Sequence, residues 1–427
     1  MAQKEIINPG KSARIVTLGC RLNHADTALL TARLEALGYT LCDDPHIQAD
    51  LILVNTCAVT AEAEAKSRRQ ILRLRRENPG AQIIAAGCAV EVNRDALLNA
   101  GAQIVLTNPD KKHDFSDPSG IKSRELPLEN FRENSFSSFP FRSRAFIKVQ
   151  EGCDNFCSYC IVPVVRGASR SRDFAETLAD CRKNIEAGFP EIVLTGVNTC
   201  NYNDSGRDLA GLIQEISALP GNFRIRLSST EPHPGDLSLL KVMAENPKIC
   251  RFLHISMQHG SNRILQMMNR RYTAEEFIDF VREARLLVPD IHIGTDFIVG
   301  FPGETDDDFA AALENVKKIG FANIHCFAYS PRPGTVAAGL PGRIAPDTVK
   351  KRMAELRRIA AVSASAFARS QYGKTLPVIF ERIADGRSVG WSDNYLEVSV
   401  PQDQVEPGKI VPVKVSPENI ASGSELP

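Results

Sequence analysis

Short apolar runs alternate with amphipathic stretches over the first quarter of the chain. Ala13 to Leu18, Leu51 to Asn55 and Gln82 to Ala86 are runs of strand length, each followed by a helical pattern. That alternation predicts a parallel α/β sheet flanked by helices over 1–110. Residues 111–141 are rich in Ser, Pro, Lys, Asp and Asn, carry no periodicity and read as a linker. From 142 the rhythm resumes, with strands expected at 145–149, 191–195, 223–227, 252–256, 291–299 and 323–329 and helices such as 174–187 and 304–318. Six such units over 142–370 are too few for a closed eight-stranded barrel. They predict an open, partial (β/α)6 barrel whose active site lies at the C-terminal ends of its strands. A long basic helix over 345–369 closes this part. From 371 to 427 the period becomes two, as in Leu376–Phe380, Tyr395–Val400 and Ile410–Val415, which predicts a small antiparallel β-barrel of about five strands.

Cysteine changes this picture most. The chain has 11, and six fall into two patterned groups. Cys20, Cys57 and Cys88 each stand at the end of one of the first three strands, in Leu18-Gly19-Cys20, Asn55-Thr56-Cys57 and Ala86-Gly87-Cys88. Ligands of open α/β sheets bind beyond the carboxyl ends of the strands, so three thiols distant in sequence converge there on one metal site. The second group is Cys153-x3-Cys157-x2-Cys160, just after the first barrel strand. Three thiolates in one tight loop are iron–sulfur ligands, and a four-iron cluster takes four, which leaves one iron open. Structural zinc is the alternative, but it normally closes a four-ligand set, and no fourth His or Cys follows at finger spacing. The remaining cysteines, at 42, 181, 200, 250 and 326, read as small buried hydrophobes.

Composition adds less. Lys and Arg number 51, as do Asp and Glu, so a nucleic-acid partner would need a local basic surface. No apolar run reaches the roughly 18 to 20 residues of a membrane span, and the first residues lack a secretory h-region. A cytoplasmic protein without a membrane partner is expected, and thiols in a reducing compartment favour metal over disulfides.

The three-cysteine loop on a partial barrel resembles the radical S-adenosylmethionine (SAM) superfamily. The resemblance implies that SAM chelates the open iron and that electron transfer from the cluster releases a 5′-deoxyadenosyl radical. It makes Cys153, Cys157 and Cys160 the catalytic cluster ligands. It also implies SAM contacts at successive strand ends: Thr195, Gly196 and Asn198, then Ser229 and Glu231, then Gln258, then Gly300. The whole arrangement, with the N-terminal three-cysteine domain and a C-terminal TRAM-like barrel, is similar to the methylthiotransferases. Asn55-Thr56-Cys57, Met268–Thr273, Gly300–Thr305 and Tyr329–Thr335 carry that likeness. It implies a second [4Fe-4S] cluster on Cys20, Cys57 and Cys88, two SAM molecules per turnover, and an electron donor such as flavodoxin or ferredoxin acting on a monomer.

Gly19–Asn23, Thr56–Thr60, Lys66–Gln70 and Phe141–Gly152 resemble the branch acting on N6-threonylcarbamoyladenosine at position 37 of tRNA. The branch acting on isopentenyladenosine is the alternative, and a non-catalytic zinc-dependent RNA-binding protein is the alternative from another class. For tRNA docking, Lys66–Arg76 carries six positive charges in one predicted helix, and Arg166, Arg170, Arg172, Arg270 and Arg271 add charge near the cluster loop. Trp391 and Tyr395 read equally as faces on which a base stacks and as core residues. From Gln371 onward, however, five Lys or Arg face eight Asp or Glu.

Overall fold

The run Leu51-Ile-Leu-Val-Asn-Thr is buried at every position, as a strand covered on both faces must be. Ile52 and Val54 face one apolar core, Leu51 and Leu53 the other. In the computed structural model, which describes residues 11–42, 44, 48–112, 143–232 and 236–420, this strand is central to a parallel sheet. The N-terminal elements are β1 (Ser12–Thr17), α1 (Arg21–Ala36), β2 (Thr40–Leu41), β3 (Leu51–Thr56), α2 (Ala61–Glu77), β4 (Gln82–Gly87), α3 (Cys88–Asn99) and β5 (Ile104–Leu106). Strand order is β2-β1-β3-β4-β5, all parallel. The order reverses between β1 and β3, so the crevice opens at their carboxyl ends.

The second part begins with β6 (Arg144–Lys148), β7 (Gln150–Glu151), α4 (Val162–Arg166), β8 (Arg170–Ser171), α5 (Phe174–Glu186), β9 (Glu191–Thr195), β10 (Asn203–Asp204), β11 (Arg207–Asp208) and α6 (Leu209–Ser217). It continues through β12 (Arg224–Leu227), β13 (Ser229–Thr230), α7 (Ser238–Glu245), β14 (Phe252–Ile255), α8 (Asn262–Met267), α9 (Ala274–Leu287), β15 (His292–Val299), α10 (Asp306–Ile319), β16 (Asn323–Ala328) and α11 (Pro346–Ser370). Two parallel sheets, β12-β9-β6 and β13-β14-β15-β16, meet at Ser228, where β12 passes into β13. Together they form the six-stranded partial barrel expected from the pattern. Its outward side chains and the covering helices share one large core. Capping boxes, Thr273 with Glu276 and Thr305 with Asp308, start α9 and α10.

The third part is a curled antiparallel sheet of four strands, β17 (Thr375–Ala384), β18 (Arg387–Ser392), β19 (Glu397–Pro401) and β20 (Ile410–Lys414), in the order β19-β18-β17-β20. It docks on the N-terminal end of the barrel, away from the cysteine loop. Arg224 donates to the carbonyls of Pro377 (2.8 Å) and Trp391 (3.0 Å), and Arg226 to those of Ser392 (2.9 Å) and Asp393 (3.1 Å). Glu191, fully buried, lies 2.5 Å from Arg224, 2.9 Å from Arg226 and 3.4 Å from Arg144. Trp391 and Tyr395 stack on each other, and Tyr395 lies beneath the guanidinium groups of Arg21 and Arg226. These two rings seal the barrel floor, which removes them as base-stacking surfaces.

The stretch read as a linker lies mostly outside the described residues. Lys111, at its start, is no linker residue. Its ammonium is buried and pairs with Asp26 at 2.9 Å. Among the described residues no helix is long and apolar enough to cross a membrane.

Candidate active site

Each N-terminal cysteine stands where a strand gives way to the next segment. Cys20 caps α1, Cys57 follows β3, and Cys88 opens α3 behind Gly87. Gly19, at φ +98°, has no room for a side chain, because a Cβ would come within 2.7 Å of the Cys57 sulfur. The Cys20 turn therefore lies directly against Cys57. Burial pushes the Cys57 thiol up to about 12, and the neighbouring Cys20 and Cys88 push the same way. Ser67 is fully buried. Its hydroxyl is 3.1 Å from both the amide and the carbonyl of Cys57, and the Asn108 amide lies 3.6 Å from the Cys88 sulfur. Cys57 and Cys88 are buried and Cys20 is exposed; three neighbouring thiols could hold a soft metal centre, whose charge would offset the cost of thiolates set side by side.

The second set is Cys153, Cys157 and Cys160. Burial raises Cys153 to about 11, with Glu231 and Cys157 adding to it, and raises Cys160 to about 12, with Cys157 and Cys153 adding. The loop is clamped from one side by the segment after α8. Ser158 bonds the carbonyls of Met267 and Met268, and the Asn269 amide donates to those of Asn155 and Phe156. Arg270 donates to the Cys157 sulfur at 3.2 Å and to Glu231 at 2.8 Å.

Gly152 sets the turn into this loop. It has φ +72°, and a Cβ there would lie 1.8 Å from the Ala168 carbonyl oxygen. Neither the φ nor the space suits alanine. Gly152→Ala is expected to displace the loop and to halve the iron of the reconstituted protein. Iron analysis checks this, and a full iron complement would contradict it.

The remaining predicted residues line the same end of the barrel. A Cβ on Gly196 would come within 3.0 Å of Gln150, and Gln150 Oε1 accepts the amides of Val197 (2.9 Å) and Asn198 (3.0 Å). Glu231 gathers Asn155, Asn198 and Arg270. Ser229 accepts the Thr199 hydroxyl on its carbonyl at 3.1 Å. Gln258, at φ +65°, bonds through its backbone to Asp296 and Ile298. Gly300 stands at the end of β15, with its amide on Glu304 at 2.7 Å and Val349 against its Cα. Among the described residues the Thr195 hydroxyl and the Asn198 side-chain oxygen Oδ1 are buried without a partner. Such orphaned polar atoms beside a three-thiol loop fit a polar ligand seated on a cluster.

Charge counting misplaced several arginines. Arg166, Arg170 and Arg172 are buried, not presented to phosphate. Arg172 pairs with Asp180, and Arg170 with Glu151 at 3.2 Å. Arg166 bonds Asn23 at 2.6 Å, Asp26 at 3.1 Å and Glu151 at 3.2 Å. Burial works against its charge, but Cys88, Asp26, Glu151 and Cys20 outweigh that and raise it above the ordinary arginine range. Asp26 also takes Lys111 and Lys148, each at 2.9 Å. Burial would raise Asp26, and these three cations hold it well below the usual carboxylate range. Arg166 follows closely on Cys160 in the chain and lies beside Cys88 and Cys20, so one buried ionic seam ties the two thiol sets together. Arg332 and Ser330 close the other side, on Glu64 and the Ala61 amide at the start of α2. The cations of α2 are all exposed: Lys66, Arg68, Arg69, Arg73, Arg75 and Arg76. Of these, Arg69 and Arg73 pair with Glu62 and Glu77.

Comparison with known proteins decides the family. Residues 147–316 match the model of the radical SAM superfamily, and residues 12–107 that of the uncharacterized protein family UPF0004. The threonylcarbamoyladenosine tRNA methylthiotransferase MtaB of Chlamydia pneumoniae is 36% identical over 91% of each chain, and that of Thermotoga maritima 35% over 91% of each. The chain belongs to the radical SAM tRNA methylthiotransferases. A tRNA-2-methylthio-N(6)-dimethylallyladenosine synthase of Cereibacter sphaeroides is 34% identical over 94% of this chain and 95% of its own. Among solved structures, the radical SAM methyltransferase TsrM of Kitasatospora setae superposes with TM-score 0.57 at 16% identity, covering 77% of this chain and 75% of that one. That likeness is one of fold. As a member of this family the methylthiotransferase uses SAM and [4Fe-4S] clusters.

Proposed function

We propose that this methylthiotransferase converts N6-threonylcarbamoyladenosine at position 37 of tRNA into its 2-methylthio derivative. Cys153, Cys157 and Cys160 hold the cluster that binds SAM, and Cys20, Cys57 and Cys88 hold the second. The observation that carries this reading is the pair of three-thiol sets joined by one buried ionic seam. The reaction replaces a carbon-bound hydrogen by a methylthio group, so it needs a hydrogen abstractor and a sulfur source held at a fixed separation. Bound at its cluster, SAM supplies the abstracting radical.

The chain's own residues orient and exclude. Thr195, Gly196, Asn198, Ser229, Glu231, Gln258 and Gly300 line the SAM-binding end, with Glu231 holding Asn198 and Arg270 in place. Arg270 holds Cys157, and the exposed cations of α2 meet the tRNA backbone. The reading carries with it a cytoplasmic setting, a monomer, and a small electron-donor protein of the flavodoxin or ferredoxin type.

A dimethylallyl substrate is the second reading, favoured by the Cereibacter relative, whose identity is only slightly lower. Mass spectrometry of tRNA nucleosides from cells with and without the gene separates the two. Loss of 2-methylthio-threonylcarbamoyladenosine is expected on deletion. Loss of the dimethylallyl product instead would overturn the substrate assignment.

A further inference from the structure

Strand alternation divides β14, β15 and β16 into two faces. Leu253 and Ile255, Ile293 and Phe297, and Ile324 and Cys326 belong to the core beneath the helices. Their alternates His254, Asp296 and His325 therefore point into the barrel. There the His254 Nε2 lies 3.1 Å and the His325 Nδ1 3.2 Å from the same oxygen of Asp296. The other carboxylate oxygen accepts the Ser256 hydroxyl at 3.2 Å. The carbonyl of Ser256 accepts from Arg270 at 2.9 Å, and Arg270 reaches the Cys157 sulfur. Two residues thus separate this cluster of polar groups from the cysteine loop.

The cluster is not a sealed core feature. Side-chain exposure rises from 9% at His254 to 25% at Asp296 and 39% at His325, so Asp296 and His325 line an open wall with His254 buried behind them. Phe327, two positions on and on the same inner face, is 41% exposed, with its ring edge-on to His325 at 6.4 Å. An exposed aromatic ring beside a carboxylate and two imidazoles is a surface for a nucleobase with a polar substituent.

We propose that His254, Asp296 and His325 form the subsite for the N6 substituent of the target adenosine. This rests on the threonylcarbamoyl reading above. That substituent is a urea-linked amino acid: its urea N–H groups suit the Asp296 carboxylate, and its own carboxylate suits an imidazole N–H. With Nδ1–H of His325 donating to Asp296, Nε2 donates to the substrate carboxylate when the ring is the imidazolium, and Phe327 stacks on the base. A dimethylallyl chain offers no hydrogen bond. Set against this wall it would desolvate a carboxylate and two imidazoles without replacing their water, and sites built for polar partners reject such analogues strongly.

The test uses the reconstituted enzyme and anticodon stem-loop RNAs carrying threonylcarbamoyladenosine, its carboxamide analogue, or dimethylallyladenosine. His325→Phe and Asp296→Asn are expected to raise KM for the threonylcarbamoyl RNA about tenfold or more, the size of one lost charge-assisted hydrogen bond. Iron and sulfide content should stay as in wild type. The carboxamide RNA should lose most of the wild-type preference yet show little further loss with His325→Phe, and His325→Gln should restore part of the affinity. Unchanged KM in both variants would overturn the subsite. So would an equal penalty of His325→Phe on acid and amide substrates, or a stoichiometric divalent metal that disappears with Asp296→Asn. If wild type instead acts only on dimethylallyl RNA, the substrate reading itself fails and the subsite falls with it. That outcome is visible before any variant is made.

Discussion

Replacing Glu191 by Gln is expected to cost about 3–5 kcal/mol, because it leaves three arginines buried without their counter-charge. Arg144, Arg224 and Arg226 converge on this one fully buried carboxylate. Two of them also carry the backbone of the C-terminal sheet, so the variant loosens that sheet from the barrel as well. Burial alone would raise Glu191, and Arg226, Arg224 and Arg144 more than offset it and hold it well below the ordinary range. A carboxylate lowered on folding stabilises the protein at pH values above its unfolded pKa, about 4.3. That contribution is lost as pH falls through the folded value. Asp26, depressed by Lys111, Lys148 and Arg166, adds to the same window. Wild type should therefore lose stability below about pH 4, and Glu191→Gln less steeply. Thermal melts across pH check both. A variant as stable as wild type at neutral pH would show that Glu191 is not what holds the sheet.

Cys57→Ala carries the largest functional effect. Cys57 is the central thiol of the N-terminal set, flanked by Cys20 and Cys88 and pressed against Gly19. Without it that donor set falls to two, too few for a four-iron cluster. The methylthio product is expected to vanish, with activity down by three orders of magnitude or more. The 153–160 loop is untouched, so 5′-deoxyadenosine should still form from SAM. Chromatography of both products from one reaction checks this. Product formation near the wild-type rate would remove Cys57 from the chemistry, whatever its position.

The fold was largely legible because its strands are apolar runs of the right length, punctuated by turn residues. Leu51–Thr56, Glu191–Thr195 and Asn323–Ala328 fall almost where the pattern predicts them. The convergence of Cys20, Cys57 and Cys88 was legible for one reason: equivalent strand ends of a parallel sheet face one crevice. The ionic seam was not. Asp26 sits in a helix and Lys111 in a polar stretch, and nothing local marks a charge as buried when its partners lie far along the chain. Arg166, Arg170 and Arg172 read as phosphate contacts for the same reason. A signal was present at Arg224-Ile225-Arg226, where two arginines share one face of a strand expected to be buried. Such a pair implies a carboxylate within reach, and Glu191 at the start of the neighbouring strand supplies it. The inward face of β14 to β16 was also hidden, because its histidines and aspartate are single residues on three strands.

The most direct test of the two-cluster account is a count of iron and acid-labile sulfide in protein purified without oxygen. It compares wild type, the Cys153/Cys157/Cys160→Ala variant and the Cys20/Cys57/Cys88→Ala variant. The account predicts about eight irons in wild type and about four in each variant. About four in wild type, or zinc with little sulfide in place of iron, would contradict it.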